Sequence, residues 1–461
     1  MATRTERDSL GERAVPAEAY YGIQTVRAVE NFPISGLRAH PALIVATAQV
    51  KLAAAQTNAA LGRLSPTIGN AIMTAAREVA DGRWHDQFVV DVYQAGAGTS
   101  HNMNANEVLA NRALELLGEA RGRYTVVHPN DHVNMAQSTN DVFPTAMRLA
   151  ALARLHSLLQ ALDGLDSALR DRARLFDGVV KAGRTHLQDA TPLRLGQEFG
   201  GYATAIAAHQ AAIAETRHAL RSIGLGGTAV GTGMNSHPDY RRLVTARLSD
   251  VTGEPLVAAP DPFDAMQSMR PFATVSGALR TLCLDLVRIC NDLRLLASGP
   301  RTGLAEISLP AVQPGSSIMP GKVNPVMAEM LTMVCFQAIG HDATIAMAAQ
   351  AGQLELNVMM PVIAHTLLQS LDILARGVAA FTSRCVSGIQ ADAERCRWYA
   401  EETVALVTAL SPRIGYERAA ALAGEVWRSG RPLREVVAAQ GLLTPAELGD
   451  LLDPRRLTEP G

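Results

Sequence analysis

Ser316 and Ser317 stand between Gly315 and Gly321 in the run GSSIMPGKVNP, and a cation and an amide, Lys322 and Asn324, follow in the same eleven residues. Glycine opens backbone shapes closed to other residues, while Pro320 and Pro325 stiffen the path. A segment so built can fold over a small anion and set a hydroxyl against it, as mobile catalytic loops do. It is not a nucleotide-binding loop. That motif has four residues between its first glycine and the Gly-Lys pair, then Ser or Thr; here five intervene and Val323 follows Lys322.

Three further runs gather uncharged hydrogen-bonding groups. GAGTSHNMNAN, from Gly96 to Asn106, carries Thr99, Ser100, His101, Asn102, Asn104 and Asn106. HPNDHVNMAQSTND, from His128 to Asp141, ends on Ser138, Thr139 and Asn140, and GRTHLQD, from Gly183, supplies Thr185 and His186. Any one of them would serve as a capped helix start, because Ser, Thr, Asn and Asp favour that place. Four such runs, each adjoining a long helix, point instead to one shared pocket for a polar ligand. His128 and His132 have the i, i+4 spacing of helical metal ligands, but Pro129 lies between them and no carboxylate is arranged as a third ligand, so a turn or a surface anion contact is expected. GLGGTAVGTG, from Gly224, contains a GxGxxA match to the dinucleotide fingerprint. It follows a long helix and lacks a βαβ setting, so it reads as a tight connection between helices.

The elements that must position these groups are long helices. Apolar patterns cover Thr145–Phe176, Gln197–Ile223, Phe272–Ser298, Val326–Gln350 and Pro361–Ile389, and Leu149, Leu152, Leu155, Leu159 and Leu162 recur at steps of three and four. Five helices of about twice the average length form an elongated bundle, with faces left to bury against other subunits. The fold class expected is all-α: an N-terminal mixed helical domain over 1–140, a central long-helix bundle over 141–395 carrying the Gly315 loop, and a small helical C-terminal domain over 396–461. In that last part Thr444-Pro445-Ala446-Glu447 has the form of a capping box with proline at the first helical position.

Composition narrows the partners. Among 461 residues, 48% are hydrophobic and 19% charged, and the formal net charge is −2, so no global field would draw nucleic acid or an acidic membrane. The start is charged and lacks a secretion-signal core, and no charge-free segment has the roughly 20 apolar residues of a membrane span. Five cysteines without a CxxC pair suggest neither a disulfide framework nor a zinc cluster, and a reducing cytoplasm is the expected setting.

Taken together, these runs resemble the aspartase/fumarase superfamily of homotetrameric lyases. GSSIMPGKVNP is similar to the superfamily's mobile signature loop, and the resemblance extends from LGERAVPAEAYYGIQT near residue 10 to the C-terminal helices. Tyr93 and Leu295 stand where fumarases usually carry Trp, and DQFVVDVYQAGAGTSHNMNANEVLANRALEL and AQAGQLELNVMMPVI lean to the ammonia-lyase branch; GGTAVGTG, the DPFDAM segment and His186 lean to the fumarase branch. The resemblance implies elimination of ammonia from L-aspartate to give fumarate, the alternative being the class II fumarase reaction between malate and fumarate. A third possibility, a structural protein on the same scaffold, would leave these hydroxyls without a task.

By the same resemblance Ser316 and His186 are the catalytic pair, Ser316 removing a proton from the carbon beside the β-carboxylate. Lys322 and Asn324 would bind the α-carboxylate. Thr99, Ser138, Thr139 and Ser317 would hold the β-carboxylate, and Asn140, with Thr99 and His186, would orient the amino group. Thr185 joins the substrate-binding set, and Glu329, seven residues past Lys322, would support the histidine. The family builds each active site from three subunits of a homotetramer with a shared helical core. It needs no cofactor, and the sequence indicates no metal site. The implied partner is a small dicarboxylate substrate, with neither nucleic acid nor membrane.

Overall fold

A computed structural model of the protein describes residues 2–460. The five long apolar patterns are helices, Thr139–Leu175, Leu195–Arg221, Arg270–Leu296, Val326–Gln350 and Met360–Arg384. The first has 37 residues, about 55 Å at 1.5 Å per residue. Its leucine stripe faces inward, with Leu149, Leu152, Leu155 and Leu162 buried. In the Arg270–Leu296 helix, Phe272, Val275, Leu279, Leu282, Leu286, Ile289, Leu293 and Leu296 alternate steps of three and four, and all are buried. That is the spacing of a coiled-coil seam, which lets long helices lie almost parallel.

The Thr139 helix begins six residues before its apolar pattern suggests, because Pro144 lies inside it. Proline cannot donate to the carbonyl of Asn140, yet its fixed φ suits a helix and the loss near an end is a single bond. The Thr145 hydroxyl donates 2.7 Å to the carbonyl of Asp141, adding a bond at the same turn. The all-α expectation holds otherwise. Among the described residues strands occur only in two-stranded pairs, of which Thr3–Asp8 with Gly11–Pro16 and Val180–Thr185 with Gln188–Arg194 are antiparallel hairpins. Among the described residues no helix is long and apolar enough to cross a membrane.

The chain divides into two compact units, each assembled from three segments. The first comprises Met1–Leu159, Ala211–Cys283 and Phe336–Ala375. Its core includes Ile44, Ala48 and Leu52 of the Pro41–Ala60 helix, Ile72, Ala75 and Val79 of Pro66–Ala80, and Val108 and Leu109 of Thr99–Leu116. The second unit comprises Gln160–Gln210, Leu284–Cys335 and Arg376–Gly461. Its C-terminal helices bury Leu406, Leu410, Leu422, Leu433, Val436 and Val437 together. The expected capping box is present there: the Thr444 hydroxyl accepts from the Glu447 N–H at 3.2 Å, and the Glu447 carboxylate accepts from the Thr444 N–H at 2.9 Å.

Candidate active site

In the first unit Thr99, Ser138 and Thr139 stand at the starts of two helices. Thr99 opens the Thr99–Leu116 helix after a turn in which Ala97 and Gly98 both have positive φ, 60° and 84°. A Cβ on Gly98 would collide with the ring of Phe143, so glycine is required for the turn to lie against the first turns of the Thr139 helix. Ser138 precedes that helix and caps it: its hydroxyl accepts from the Asn140 N–H at 3.2 Å, and its own N–H donates 2.9 Å to the Asp141 carboxylate. The Asn102 side chain, one turn into the other helix, donates 3.0 Å to Thr139 Oγ1. Thr99 and Thr139 open helices whose N-terminal ends carry the positive pole of the helix dipole, the setting in which an anion is stabilised, although several first-turn N–H groups are already taken, that of His101 by Gln94 and that of Asn140 by Ser138.

Buried polar groups lie beneath these hydroxyls. Asp141 is fully buried, and its carboxylate also accepts the N–H groups of Gly226 and Thr228, each at 3.0 Å. Burial pushes its pKa up to about 6 against those hydrogen bonds. These contacts, with the Asn140 amide donating 2.8 Å to the Ala229 carbonyl, hold the glycine-rich run on the helix start. The run is the tight connection expected from its sequence, and Gly226, Gly231 and Gly233 all have positive φ. Lys51, the only charge in the Pro41–Ala60 helix, has its ammonium 2.8 Å from Asn134 Oδ1 and 3.0 Å from Gln137 Oε1. Burial pulls its pKa down to about 7, opposed by the charge of Asp141. His101 is buried against Phe88 and Phe143, and burial with the nearby Lys51 charge lowers its pKa to about 4. It is therefore a neutral structural group.

The second unit carries the remaining expected residues. The Gly315 N–H donates 2.7 Å to the Lys322 carbonyl and the Asn324 amide donates 2.6 Å to the Gly315 carbonyl, closing the base of the loop. A Cβ on Gly315 would lie 2.5 Å from the Lys322 carbonyl oxygen, so the closure needs glycine. Within the loop, Ser316 Oγ accepts the N–H groups of Ile318 at 3.2 Å and Met319 at 2.9 Å. Two donors on one hydroxyl oxygen favour its ionised form. Ser317 and Lys322 are exposed, and Asn324 and Glu329 half-buried.

Thr185 and His186 are exposed at the tip of the Val180–Thr185/Gln188–Arg194 hairpin. His186 and Leu187 form a two-residue loop with φ of 54° and 59°, where Asn-Gly would be ordinary; a leucine in the left-handed region stores strain. The hairpin is held from below. Lys181 lies 2.9 Å from Glu198 and 3.0 Å from the fully buried Glu306, and Arg184 lies 2.8 Å from Glu306.

The expected residues thus fall into two sets, Thr99, Ser138, Thr139 and Asn140 in the first unit, and Thr185, His186, Ser316, Ser317, Lys322, Asn324 and Glu329 in the second. Within the first set Ser138, Thr139 and Asn140 share one helix start, which Asn102 of the Thr99 helix reaches through Thr139, and within the second the loop residues are tied to one another. His186 and Glu329 make no hydrogen bond or ion pair with each other among the described residues. His128 and His132 form a turn: the His128 ring accepts the N–H groups of Asn130 and Asp131, and the His132 ring accepts that of His128. Sequence reasoning missed Lys51, Asn134 and Asp141. A lone lysine inside an apolar helix was the available signal for Lys51.

A family model described as lyase matches residues 11–340, and one described as fumarase C C-terminus matches residues 406–459. Aspartate ammonia-lyase of Bacillus subtilis is 50% identical over 99% of this chain and 96% of its own length. A class II fumarate hydratase of Neisseria meningitidis is 48% identical over the whole of both chains. The crystal structure of a "fumarate lyase:delta crystallin" from Brucella melitensis bound to cobalt superposes with a TM-score of 0.97, at 50% identity over the whole of both chains.

Proposed function

The chain belongs to the aspartase/fumarase family of lyases, and from that premise we propose that it converts L-aspartate reversibly to fumarate and ammonia. It is a carbon–nitrogen lyase acting on a small dicarboxylate. The observation that carries the chemistry is Ser316 Oγ beneath the N–H groups of Ile318 and Met319. A serine hydroxyl is a poor base in water, and two fixed donors stabilise the alkoxide that must act.

Ser316 removes a proton from the carbon beside the β-carboxylate, which becomes a doubly charged enediolate. Thr99, Ser138, Thr139 and Ser317 receive it as neutral donors, binding the ground state moderately and the more charged intermediate strongly. The helix starts behind Thr99 and Thr139 add to the same effect. Collapse of the enediolate forms the fumarate double bond and expels ammonia, and the proton on Ser316 leaves to solvent or to the ammonia. The Asn140 amide N–H₂ is held by the Ala229 carbonyl, which leaves its Oδ1 as acceptor for the substrate's ammonium group, which departs as ammonia, with Thr99 and His186 alongside. Lys322 and Asn324 take the α-carboxylate. One of the two Asn324 amide hydrogens serves the loop closure, and the other remains for substrate. Thr185 lines the same pocket beside His186.

The hydroxyl set, the loop and the hairpin are brought into one site by three subunits of a homotetramer, and Glu329 pairs with His186 across subunits in this reading. It is supported by the exposure of Met333, Phe336 and Met347 along the Val326–Gln350 helix, at 63%, 59% and 67%. Those residues form an apolar stripe at helical spacing, which a lone chain would leave in water. Sedimentation of a fully active monomer at assay concentration would remove the shared-site reading. Five buried free cysteines accord with a reducing, cytoplasmic setting.

The fumarase reaction is the second reading, favoured by the equally extensive similarity to a class II fumarate hydratase and by the GGTAVGTG run. Following fumarate absorbance with aspartate and malate offered separately decides between them. Turnover is expected with aspartate. Malate turnover without aspartate turnover would reverse the assignment.

A further inference from the structure

We propose that Lys51 is a positioning residue for the elimination: it fixes, through Asn134 and Asn102, the direction in which the Thr139 hydroxyl donates. The inference rests on the reading of Thr139 as a donor to the β-carboxylate. Lys51 is 1% exposed and touches no hydroxyl of the site itself.

The direction follows from donor and acceptor counting. Asn134 Nδ2 donates 3.2 Å to the Gln137 carbonyl, so the atom of Asn134 facing Lys51 at 2.8 Å is its carbonyl oxygen, which accepts from the lysine nitrogen. The same oxygen accepts from Asn102 Nδ2 at 3.3 Å, which turns the amide nitrogen of Asn102 to this side. That nitrogen also donates to Thr139 Oγ1 at 3.0 Å. With an N–H on its oxygen, Thr139 sends its own hydrogen elsewhere, and no protein acceptor for that hydrogen occurs among the described residues. It therefore serves a ligand acceptor.

The arrangement has a cost that shows what it selects. Asn102 Oδ1 is left buried without a hydrogen-bond partner among the described residues. Turning the amide over would set two carbonyl oxygens against each other at Asn134 and withdraw the donor from Thr139. Lys51 opposes that alternative by donating to the Asn134 carbonyl oxygen, while the Asn134 nitrogen is held by the Gln137 carbonyl. Gln137, which gives its carbonyl oxygen to Lys51 at 3.0 Å and donates to the backbone of Val133 and Met135, fixes the lysine from the other side. The ammonium also places a positive charge behind the helix start at which the enediolate would form, where Asp141 alone would be unfavourable. Direct substrate contact is not required of Lys51 in this scheme.

A double-mutant cycle in the full-length enzyme tests the relay. Thr139→Val is expected to lower kcat/KM for aspartate about 100-fold, mostly through kcat, and Lys51→Met about 30-fold. In the Thr139→Val background, Lys51→Met should change kcat/KM by less than about threefold, because the hydroxyl it directs is gone. A role confined to stability would not vanish in that background. Should Lys51→Met not yield folded enzyme, Asn134→Ala breaks the same relay one residue further along and is read in the same way. Independent effects, multiplying to about 3,000-fold, would overturn the relay, as would an unimpaired Lys51→Met enzyme. Full activity of Thr139→Val alone would overturn the proposal at its premise, the role of Thr139, and so separates that failure from failure of the relay.

Discussion

Ser316→Ala is expected to lower kcat for aspartate about 10²- to 10⁴-fold, the range that a positioned general base contributes, while the fold and its assembly survive. The hydroxyl oxygen is the atom that receives the N–H groups of Ile318 and Met319, so its removal deletes the base and leaves the rest of the substrate contacts in place. Stability should change little. Ser316 is only partly buried, and the two N–H groups it releases belong to exposed residues that water can reach. The measurement is kcat together with the thermal midpoint and the sedimentation coefficient of wild type and variant. A midpoint within about 1 °C beside a large loss of turnover assigns the loss to chemistry, since a shift of about 1 kcal/mol in a domain of this size moves the midpoint by 2–4 °C. Fumarate should still bind to the variant, because its carboxylate partners are intact. A variant keeping more than a tenth of wild-type kcat would remove Ser316 from the role of base.

The length and place of the long helices were readable because their cores recur at steps of three and four over many turns, a signal that short elements lack. Starts at Leu195, Arg270 and Met360 fall one or two residues before the expected Gln197, Phe272 and Pro361, and the last of these helices ends at Arg384, short of Ile389. The largest displaced start, at Thr139 instead of Thr145, comes from Pro144, which local rules read as a boundary and which the second turn of this helix accommodates. The hydroxyl runs were legible as polar segments beside helices. Whether they were caps or a site was not, because the same groups are both: Ser138 caps its helix with the hydroxyl proposed for substrate. What local sequence could not reveal depends on distant contacts. The hold of Asp141 on Gly226 and Thr228 joins residues 85 and 87 apart, and that of Lys51 on Asn134 spans 83. Neither pairing has a signature in composition or spacing. The strained tip at His186 and Leu187 was equally hidden, since neither residue type announces a left-handed turn.

The contrast between the two carboxylates of the substrate gives the second large effect. Lys322→Ala is expected to raise KM for aspartate about 10- to 100-fold, from the loss of an ionic hydrogen bond worth about 1.5–3 kcal/mol, while kcat falls by less than about tenfold. The charge on the α-carboxylate is the same in aspartate, in the enediolate and in fumarate, so a group bound to it stabilises all three alike, and its loss appears as weaker binding. The β-carboxylate differs, because it gains charge as the proton leaves; truncation of its partners should appear in kcat instead. Folding should be indifferent to the change. The Lys322 side chain is exposed, and its part in loop closure is made by backbone, the carbonyl accepting from Gly315 and the N–H donating 3.3 Å to Met319. Steady-state kinetics over an aspartate range reaching well above the raised KM would measure both parameters. The opposite split, a collapsed kcat at unchanged KM, would place Lys322 on the carboxylate where charge accumulates and exchange the roles assigned to the loop cation and the helix-start hydroxyls.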